Sequence, residues 1–180
     1  MNSLRPAVFF DRDGVVNVSP GKGYVLNWEG FAFSPGVIEA LRLCRQAGYA
    51  TVLVTSQQGV GKGLMAQADL DDIHHRMQSE LAAQGAVFDR IEACTHLAGT
   101  CSCRKPSPEM IHAASAALGL DLNRSLLVGD HDRDILMAQN AGIPETIRIL
   151  GEHPPTVAAT HTLASTTELP KLLTRRLRPA

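Results

Sequence analysis

Apolar runs rich in β-branched residues alternate along this chain with segments whose apolar residues recur at the helical spacing. The apolar runs predict strands at residues 7–10, 50–54, 88–93, 125–128 and 146–150, and the C-terminal region adds a short strand at 161–163 and a basic helix. Strands that alternate with helices are joined by right-handed crossovers, which produce a mostly parallel sheet. The pattern therefore predicts an α/β fold, a three-layer sandwich with helices on both faces of the sheet.

Start and stop residues bound four of the helical segments. The first begins at Ser34 and Pro35, ends at Gly48 and carries Cys44 in its apolar stripe, which predicts that Cys44 lies in the core. The other three are predicted over residues 70–85, 107–119 and 132–141.

Three stretches follow neither pattern, at residues 17–30, 56–62 and 92–106. Because each of them follows a predicted strand, all three should meet over the carboxyl edge of the sheet. Parallel α/β sheets bind their ligands at that edge.

Composition narrows the class of protein. A length of 180 residues with 44% hydrophobic content fits one compact domain over residues 1–180, with no insertion long enough to form a separate cap domain. The formal net charge of -1 creates no overall field that would attract nucleic acid or an anionic membrane. No apolar run approaches the roughly 20 residues of a membrane span, and the N-terminus lacks a signal-peptide pattern. We therefore expect a cytoplasmic monomer whose partner is a small molecule, with no nucleic-acid or membrane partner.

Two carboxylates end the first predicted strand. Asp11 and Asp13 are two positions apart, where an extended backbone points both side chains the same way. Such a pair repels unless a cation lies between its members, and Mg²⁺ prefers hard oxygen ligands of this kind. The alternative is a plain strand-end turn, because Asp and Gly are turn residues.

Further polar residues at the ends of other predicted strands favour the functional interpretation. Thr55 and Ser56 offer hydroxyls that can hold phosphate oxygens, and Lys105 is a point charge suited to a phosphoryl group. Asp130 and Asp134 follow the fourth strand. Their convergence predicts a site for a small phosphorylated metabolite, in which Asp134 orients Lys105 or the metal site rather than ligating the metal.

This ordered set resembles the haloacid dehalogenase-like superfamily of phosphotransferases, and within it the histidinol-phosphate and heptose bisphosphate phosphatase branch. The resemblance spans roughly residues 9–151 and is carried by "FFDRDGVVN", "GYVLNWEGFAFSPGVIEAL", "CTHLAGTCSCRKP" and "VGDHDRD". It implies a Rossmann-like sandwich in which Asp11 is the nucleophile and Asp13 the general acid/base, while Thr55 and Lys105 stabilise the phosphoryl group. It also assigns Mg²⁺ to Asp11, the Asp13 carbonyl and Asp130.

The substrate is less closely defined. Substrate contacts are expected at Gly23, Tyr24, Ser56, Gln57, Lys62, Arg104 and His131. The segment from Gly23 to Val25 is most similar to the heptose bisphosphate members, preceded by two extra residues. Ser56 replaces the usual Asn, and His131 replaces the Lys typical of those members. These differences leave histidinol phosphate and other small sugar phosphates as alternatives.

Three of the four cysteines and a histidine crowd into ten positions: Cys94, His96, Cys101 and Cys103. Four soft or borderline ligands are the number that closes a tetrahedral zinc site, although the spacing differs from common zinc fingers. A redox pair of cysteines and an exposed loop histidine are the alternatives. The loop is short for the heptose enzymes, but the resemblance implies a structural Zn²⁺ that fixes the loop bearing Arg104 and Lys105.

Two other classes of protein combine similar residues. A phosphoacceptor switch also places acidic residues, a hydroxyl and a lysine around Mg²⁺, but it would give Asp13 no acid/base task and leave the cysteines unexplained. A pseudo-enzyme that only binds phosphorylated ligands is the remaining alternative.

Overall fold

A six-stranded parallel sheet forms the centre of the protein. The structure is a computed structural model that describes residues 4–178. Its strands lie in the order β3-β2-β1-β4-β5-β6, and every neighbouring pair is parallel. The strands are β1 (Ala7–Phe10), β2 (Ala50–Ser56), β3 (Arg90–Cys94), β4 (Leu126–Gly129), β5 (Glu145–Ile149) and β6 (His161–Leu163). The predicted mostly parallel sheet is thus confirmed.

Helices cover both faces of this sheet. They are α1 (Val37–Gln46), α2 (Gln58–Gly61), α3 (Gln67–Ala82), α4 (Glu109–Leu118), α5 (Asp132–Asn140) and α6 (Leu169–Arg176). Alternate residues of β1 face opposite ways, as the strand period requires: Val8 and Phe10 join a core with α1, α3 and α6, and Ala7 and Phe9 join a core with α4 and α5. These two cores give the predicted three layers, and Cys44 is fully buried in the first of them.

The largest departure from the predicted elements is α2, which forms in a stretch predicted to be irregular. Four residues containing two glycines carry no helical period that a sequence pattern could reveal. A Cβ atom at Gly61 would lie 2.5 Å from the carbonyl oxygen of Thr95, so glycine allows α2 to approach the cysteine segment. Three short 3-10 turns, at Trp28–Gly30, Leu122–Arg124 and Thr166–Glu168, also lie outside the predicted elements.

The strand order determines where the site lies. The chain passes from the central β1 to β2 and β3 on one side, and then returns to β4 on the other side of β1. The carboxyl ends of β1, β2 and β4 are therefore neighbours at the switch point of the sheet, where α/β folds bind ligands. Within residues 4–178, no helix is both long and apolar enough to cross a membrane.

Candidate active site

A lysine and two carboxylates are buried together at the carboxyl edge of the sheet. Lys105 Nζ donates to Asp11 Oδ1 at 2.5 Å and to Asp134 Oδ1 at 2.7 Å. The side chains of Lys105, Asp11 and Asp134 are only 1%, 7% and 0% exposed. A Cβ atom at Gly129 would lie 2.3 Å from Asp134 Cβ, so only glycine at this position lets the Asp134 side chain pack so closely. Asp134 therefore contacts Lys105 directly.

Asp130 adds a third carboxylate to this group. Carboxylate oxygens of Asp11, Asp130 and Asp134, the acid cluster, all lie within 4.8 Å of one another. Burial and then repulsion from Asp134 raise the pKa of Asp11 to about 6, although Lys105 acts in the opposite direction. Burial and then repulsion from Asp11 raise the pKa of Asp130 to about 8. One lysine does not offset three carboxylates, so the acid cluster is a place where a divalent cation would be stabilised.

Asp13 has a different electrostatic environment. Asn17 Nδ2 donates to Asp13 Oδ1 at 3.0 Å, and Gln57 Nε2 donates to Asp13 Oδ2 at 3.0 Å. Arg12 Nη2 lies 3.1 Å from Asp13 Oδ1. Burial by itself would raise the pKa of Asp13, but Arg12 and these hydrogen bonds outweigh it and hold the pKa below its ordinary value. Asp13 is therefore ionised and fixed in orientation at neutral pH.

Arg12 was not among the residues expected to form the site. Its side chain is fully buried although it carries a charge. Arg12 Nη1 lies 3.4 Å from Nε2 of His74 on α3. His74 is half-buried and its neighbour His75 is exposed.

The residues after β2 divide between two locations. Thr55 and Gln57 are both buried, and Gln57 Nε2 donates to Thr55 Oγ1 at 2.8 Å. Gln57, expected to contact the substrate, thus binds Asp13 and Thr55 and is not part of the cavity lining. Ser56, by contrast, lines the cavity described next.

An open cavity of about 360 Å³ lies over the carboxyl edge of the sheet. Asp13 and Asp130 line it together with five residues expected to contact the substrate, namely Gly23, Tyr24, Ser56, Arg104 and His131. Lys62 lies outside the lining and donates to the Tyr24 hydroxyl at 2.9 Å. The wall contains three cations, Lys22, Arg104 and Arg133, and the imidazoles of His131 and His153, beside the carboxylates Asp13, Asp130 and Glu152.

Two of these cations carry buried hydrogen-bond donors that have no acceptor within the described residues. Arg104 Nη1 and Arg133 Nε are buried from solvent and have no hydrogen-bond partner within the described part of the chain, and the same holds for Ser56 Oγ. Buried donors without partners are costly and uncommon in folded proteins. Their presence in one cavity indicates a wall that binds an anion. Arg133 and His153 were missed from the sequence, because nothing in the local pattern places the loop after β5 beside the start of α5.

The backbone that carries Asp130 is held by a second buried arginine. Arg148 Nη1 donates to the Asp130 carbonyl oxygen at 3.1 Å, and its other terminal nitrogen forms an ion pair with Asp132. A Cβ atom at Gly14 would lie 2.2 Å from Asp130 Oδ2, so the glycine after Asp13 lets the Asp130 carboxylate approach the β1 loop.

The cysteine segment brings four ligand atoms together. The three sulfur–sulfur distances among Cys94, Cys101 and Cys103 are 3.1, 3.4 and 3.5 Å, and His96 Nδ1 lies 3.8 Å from Cys94 Sγ and 3.5 Å from Cys103 Sγ. Tetrahedral zinc with ordinary bond lengths requires about 3.8 Å between two sulfurs and about 3.6 Å between sulfur and nitrogen. The two sulfur–nitrogen distances match this geometry, and the sulfurs are closer together than bound zinc would hold them, so the four ligand atoms are grouped as a zinc site requires. All four cysteines of the chain are free thiols.

This cysteine cluster is joined to the candidate active site through the backbone. Gln57 N donates to the Cys94 carbonyl at 2.7 Å, and Arg104 Nη2 lies 3.4 Å from Gln58 Oε1. Lys105 follows Cys103 by two residues. An ion that fixed the cluster would thus fix Arg104 and Lys105 as well.

Comparison with known proteins identifies close relatives of the whole chain. A HAD-hydrolase-like family model matches residues 102–166. The D-glycero-beta-D-manno-heptose-1,7-bisphosphate 7-phosphatase of Yersinia pestis is 36% identical over 98% of this chain and 99% of its own length. The enzyme of the same name from Escherichia coli K12 is 33% identical over 97% of both chains. The crystal structure of D,D-heptose 1.7-bisphosphate phosphatase from B. bronchiseptica, complexed with magnesium and phosphate, superimposes with a TM-score of 0.83 at 30% identity, covering 94% of this chain and 98% of that one.

Proposed function

The chain belongs to the family of haloacid dehalogenase-like hydrolases that contains these heptose bisphosphate phosphatases, and from this premise we propose that it removes the 7-phosphate of D-glycero-β-D-manno-heptose 1,7-bisphosphate. The observation that supports this most is the buried contact of Lys105 with Asp11 and Asp134, beside a cavity lined by Asp13 and Asp130. A nucleophile, a phosphate-binding cation and an acid/base group are thereby gathered at one edge of the sheet.

In the first half-reaction, a carboxylate oxygen of Asp11 attacks the phosphorus atom. The bond from phosphorus to the sugar oxygen breaks, and the departing oxygen takes a proton from Asp13, which leaves an aspartyl-phosphate. Lys105, 2.5 Å from Asp11, lies where it offsets the repulsion between the carboxylate and the phosphate dianion. The negative phosphate beside Asp13 raises the pKa of that carboxyl, which favours its protonated form before the sugar leaves.

In the second half-reaction, Asp13 takes a proton from a water molecule that attacks the aspartyl-phosphate. The bond from phosphorus to the Asp11 oxygen breaks, inorganic phosphate leaves, and Asp13 is protonated again. The hydrogen bonds from Asn17 and Gln57 keep its carboxylate oriented for this exchange. Acid/base catalysis of this kind contributes about 10²- to 10⁴-fold to the rate.

The acid cluster fits a magnesium ion. Buried carboxylate oxygens with raised pKa values are hard ligands whose mutual repulsion a divalent cation relieves. Asp11 and Asp130 would hold Mg²⁺ together with the Asp13 carbonyl, while Asp134 is engaged with Lys105. When bound, Mg²⁺ supplies charge neutralisation for the transferring phosphoryl group.

We assign Zn²⁺ to Cys94, His96, Cys101 and Cys103. With four protein ligands the ion has no open position, so its task is structural. With Zn²⁺ bound, the loop would be ordered before the substrate arrives, and substrate binding would not have to supply that ordering cost.

The second phosphate of the substrate binds Arg104 and Arg133 in the wall of the cavity. Arg104 and Arg133 both have a buried donor without a hydrogen-bond acceptor within the described residues. A guanidinium group can donate two hydrogen bonds to one phosphate, and its geometry matches that of phosphate. A cavity of about 360 Å³ is large enough for a small ligand of this class. A monophosphorylated sugar would leave these donors unpaired, so the wall favours a bisphosphate.

The test is a steady-state comparison of phosphorylated metabolites with Mg²⁺, using both anomers of heptose 1,7-bisphosphate, heptose 7-phosphate and histidinol phosphate. We expect the highest kcat/KM for the β anomer of heptose 1,7-bisphosphate and a clearly lower kcat/KM for heptose 7-phosphate. In Arg133→Ala the KM for the bisphosphate should rise about tenfold or more, because one buried charged contact is removed. The KM for the monophosphate should change little. A higher kcat/KM for histidinol phosphate than for either bisphosphate would reject the proposed substrate.

A further inference from the structure

We propose that His74 is a positioning residue for the reaction: its neutral imidazole accepts a hydrogen bond from Arg12 and so holds the guanidinium against Asp13. The inference rests on the proposed function, because it gives His74 a role through the acid/base carboxyl. Nothing in the local sequence links these residues, since His74 lies 62 positions after Arg12.

Arg12 needs such an acceptor because its charge is buried. Its side chain has no exposed surface, and its Nε and Nη2 both face Asp13, at 3.3 and 3.1 Å from Oδ1. Nη1 points away from Asp13, toward His74 Nε2 at 3.4 Å. A guanidinium group only donates hydrogen bonds, and a buried donor left without an acceptor costs stability.

The donor character of Arg12 defines the state of the histidine. His74 Nε2 must present a lone pair to the guanidinium, which requires a neutral ring with its proton on Nδ1. Burial and then the charge of Arg12 lower the pKa of His74 to about 4, so the ring is neutral at physiological pH. A protonated imidazole would instead repel Arg12 and loosen its contact with Asp13.

The imidazole is held in place by the packing of α3. Ile73 and Met77 of this helix are fully buried in the same core as Phe10 of β1. His74 therefore approaches Arg12 from a rigid element rather than from a loop. Arg12 donates to Asp13 Oδ1 and Gln57 donates to Oδ2, so the orientation of the carboxylate is fixed at both oxygens.

The chemical consequence concerns the steps in which Asp13 moves a proton. A misplaced catalytic group can cost up to about 100-fold in rate, and we expect about tenfold for loss of the His74 contact because Asn17 and Gln57 remain. Within the described residues, the side chains of Asp11 and Lys105 form no hydrogen bond with the side chain of Arg12 or of His74, so attack on phosphorus itself should be preserved.

The test uses His74→Ala, His74→Gln and the control His75→Ala with p-nitrophenyl phosphate, whose leaving group departs without a proton. In His74→Ala the pre-steady-state burst of p-nitrophenolate should stay within about twofold of wild type, and the steady rate, which needs Asp13 as a base, should fall about tenfold. With heptose bisphosphate, kcat should fall about tenfold and KM should change little. Gln places an oxygen near the position of Nε2, so His74→Gln should recover most of the rate, and the exposed His75 should be replaceable without effect.

Equal slowing of burst and steady rate, no slowing, or failure of His74→Gln to recover the rate would overturn the inference. The tautomer provides a readout that does not depend on turnover: two-bond ¹H–¹⁵N correlation spectra of the wild type should show a neutral His74 with an unprotonated Nε2. A ring protonated at Nε2 near neutral pH would also overturn it. A wild type that hydrolyses no phosphomonoester would reject the proposed function itself, and with it this role of His74, whereas an active wild type with an unresponsive His74 would reject only the inference.

Discussion

Replacing Lys105 by methionine should destabilise the fold far more than replacing any exposed lysine. Methionine keeps most of the length and packing of the side chain but removes the charge that lies 2.5 Å from Asp11 and 2.7 Å from Asp134. All three side chains are at least nine-tenths buried, so the change leaves two carboxylates without their cation. Removing one partner of a buried ion pair costs about 3–5 kcal/mol.

That loss is large compared with the whole stability of a domain, which is about 5–15 kcal/mol. For a chain of this size it corresponds to a fall of roughly 6–20 °C in Tm. The loss should be greatest near neutral pH and smaller near pH 5, because burial already raises the pKa of Asp11 from 3.8 to about 6 and the loss of Lys105 removes the charge that opposes this rise. The folded state then takes up protons as pH falls, and proton uptake favours it.

The measurement is urea and thermal unfolding of Lys105→Met in buffer without Mg²⁺, at several pH values, beside the exposed-lysine control Lys171→Met. The double variant Lys105→Met/Asp134→Asn should recover about half of the loss, because one of the two orphaned charges is removed as well. A loss below about 1 kcal/mol, like that of an exposed lysine, would refute the assignment of a buried ion pair. No recovery in the double variant would show that the loss comes from packing rather than charge.

Three further predictions follow from the metal sites and the nucleophile. Asp11→Asn should reduce turnover below about 10⁻³ of wild type, because the amide keeps the shape of the carboxylate but cannot attack phosphorus. Its Tm should not fall, because Lys105 stays paired with Asp134 and the acid cluster loses one of its mutually repelling carboxylates. Substantial residual turnover would contradict the aspartyl-phosphate route. Elemental analysis should find about one zinc per chain, and its absence from protein prepared without chelator would contradict the zinc site. Cys101→Ser should raise KM and lower Tm while Mg²⁺ still binds. Without Mg²⁺, Tm should fall as pH rises from 5 to 8.5. Burial beside Asp11 raises the pKa of Asp130 from 3.8 to about 8, and the proton that stabilises the folded state is lost through that range. Asp130→Asn should flatten the dependence of Tm on pH, and an unchanged dependence would contradict the raised pKa.

The arrangement of strands and the main polar residues could be predicted because each depends on a local pattern. The period of two in β1 places Asp11 and Asp13 on one side of the strand, and helical starts and stops such as Gly119 mark the connections. The switch point of a parallel sheet then brings the strand ends together without further information. Helix α2 was not predicted, because a single helical turn with two glycines has no detectable hydrophobic period.

Arg12 and His74 could not be paired from sequence, although each carried a signal. Strand alternation places Arg12 opposite Asp11 and Asp13, toward the interior, and a buried charge requires a partner. His74 follows Leu70 by four positions and therefore lies at the edge of the buried face of α3. What the sequence lacked was the distance between these two elements, which depends on how α3 packs across the sheet.

The acid cluster has three carboxylates and, within the described residues, only one buried lysine beside it, so the binding of a cation there is coupled to the stability of the fold. Lys105 is shared between Asp11 and Asp134, which leaves Asp130 to compete with them for the same proton or metal. Each carboxylate is thus more stable beside a cation than without one, and any cation that binds only the folded chain stabilises it by mass action. Mg²⁺ should therefore raise Tm most at alkaline pH, where the proton on Asp130 is gone. At pH 5 the proton and the metal compete for the same oxygens, so the stabilisation by Mg²⁺ should be smallest there.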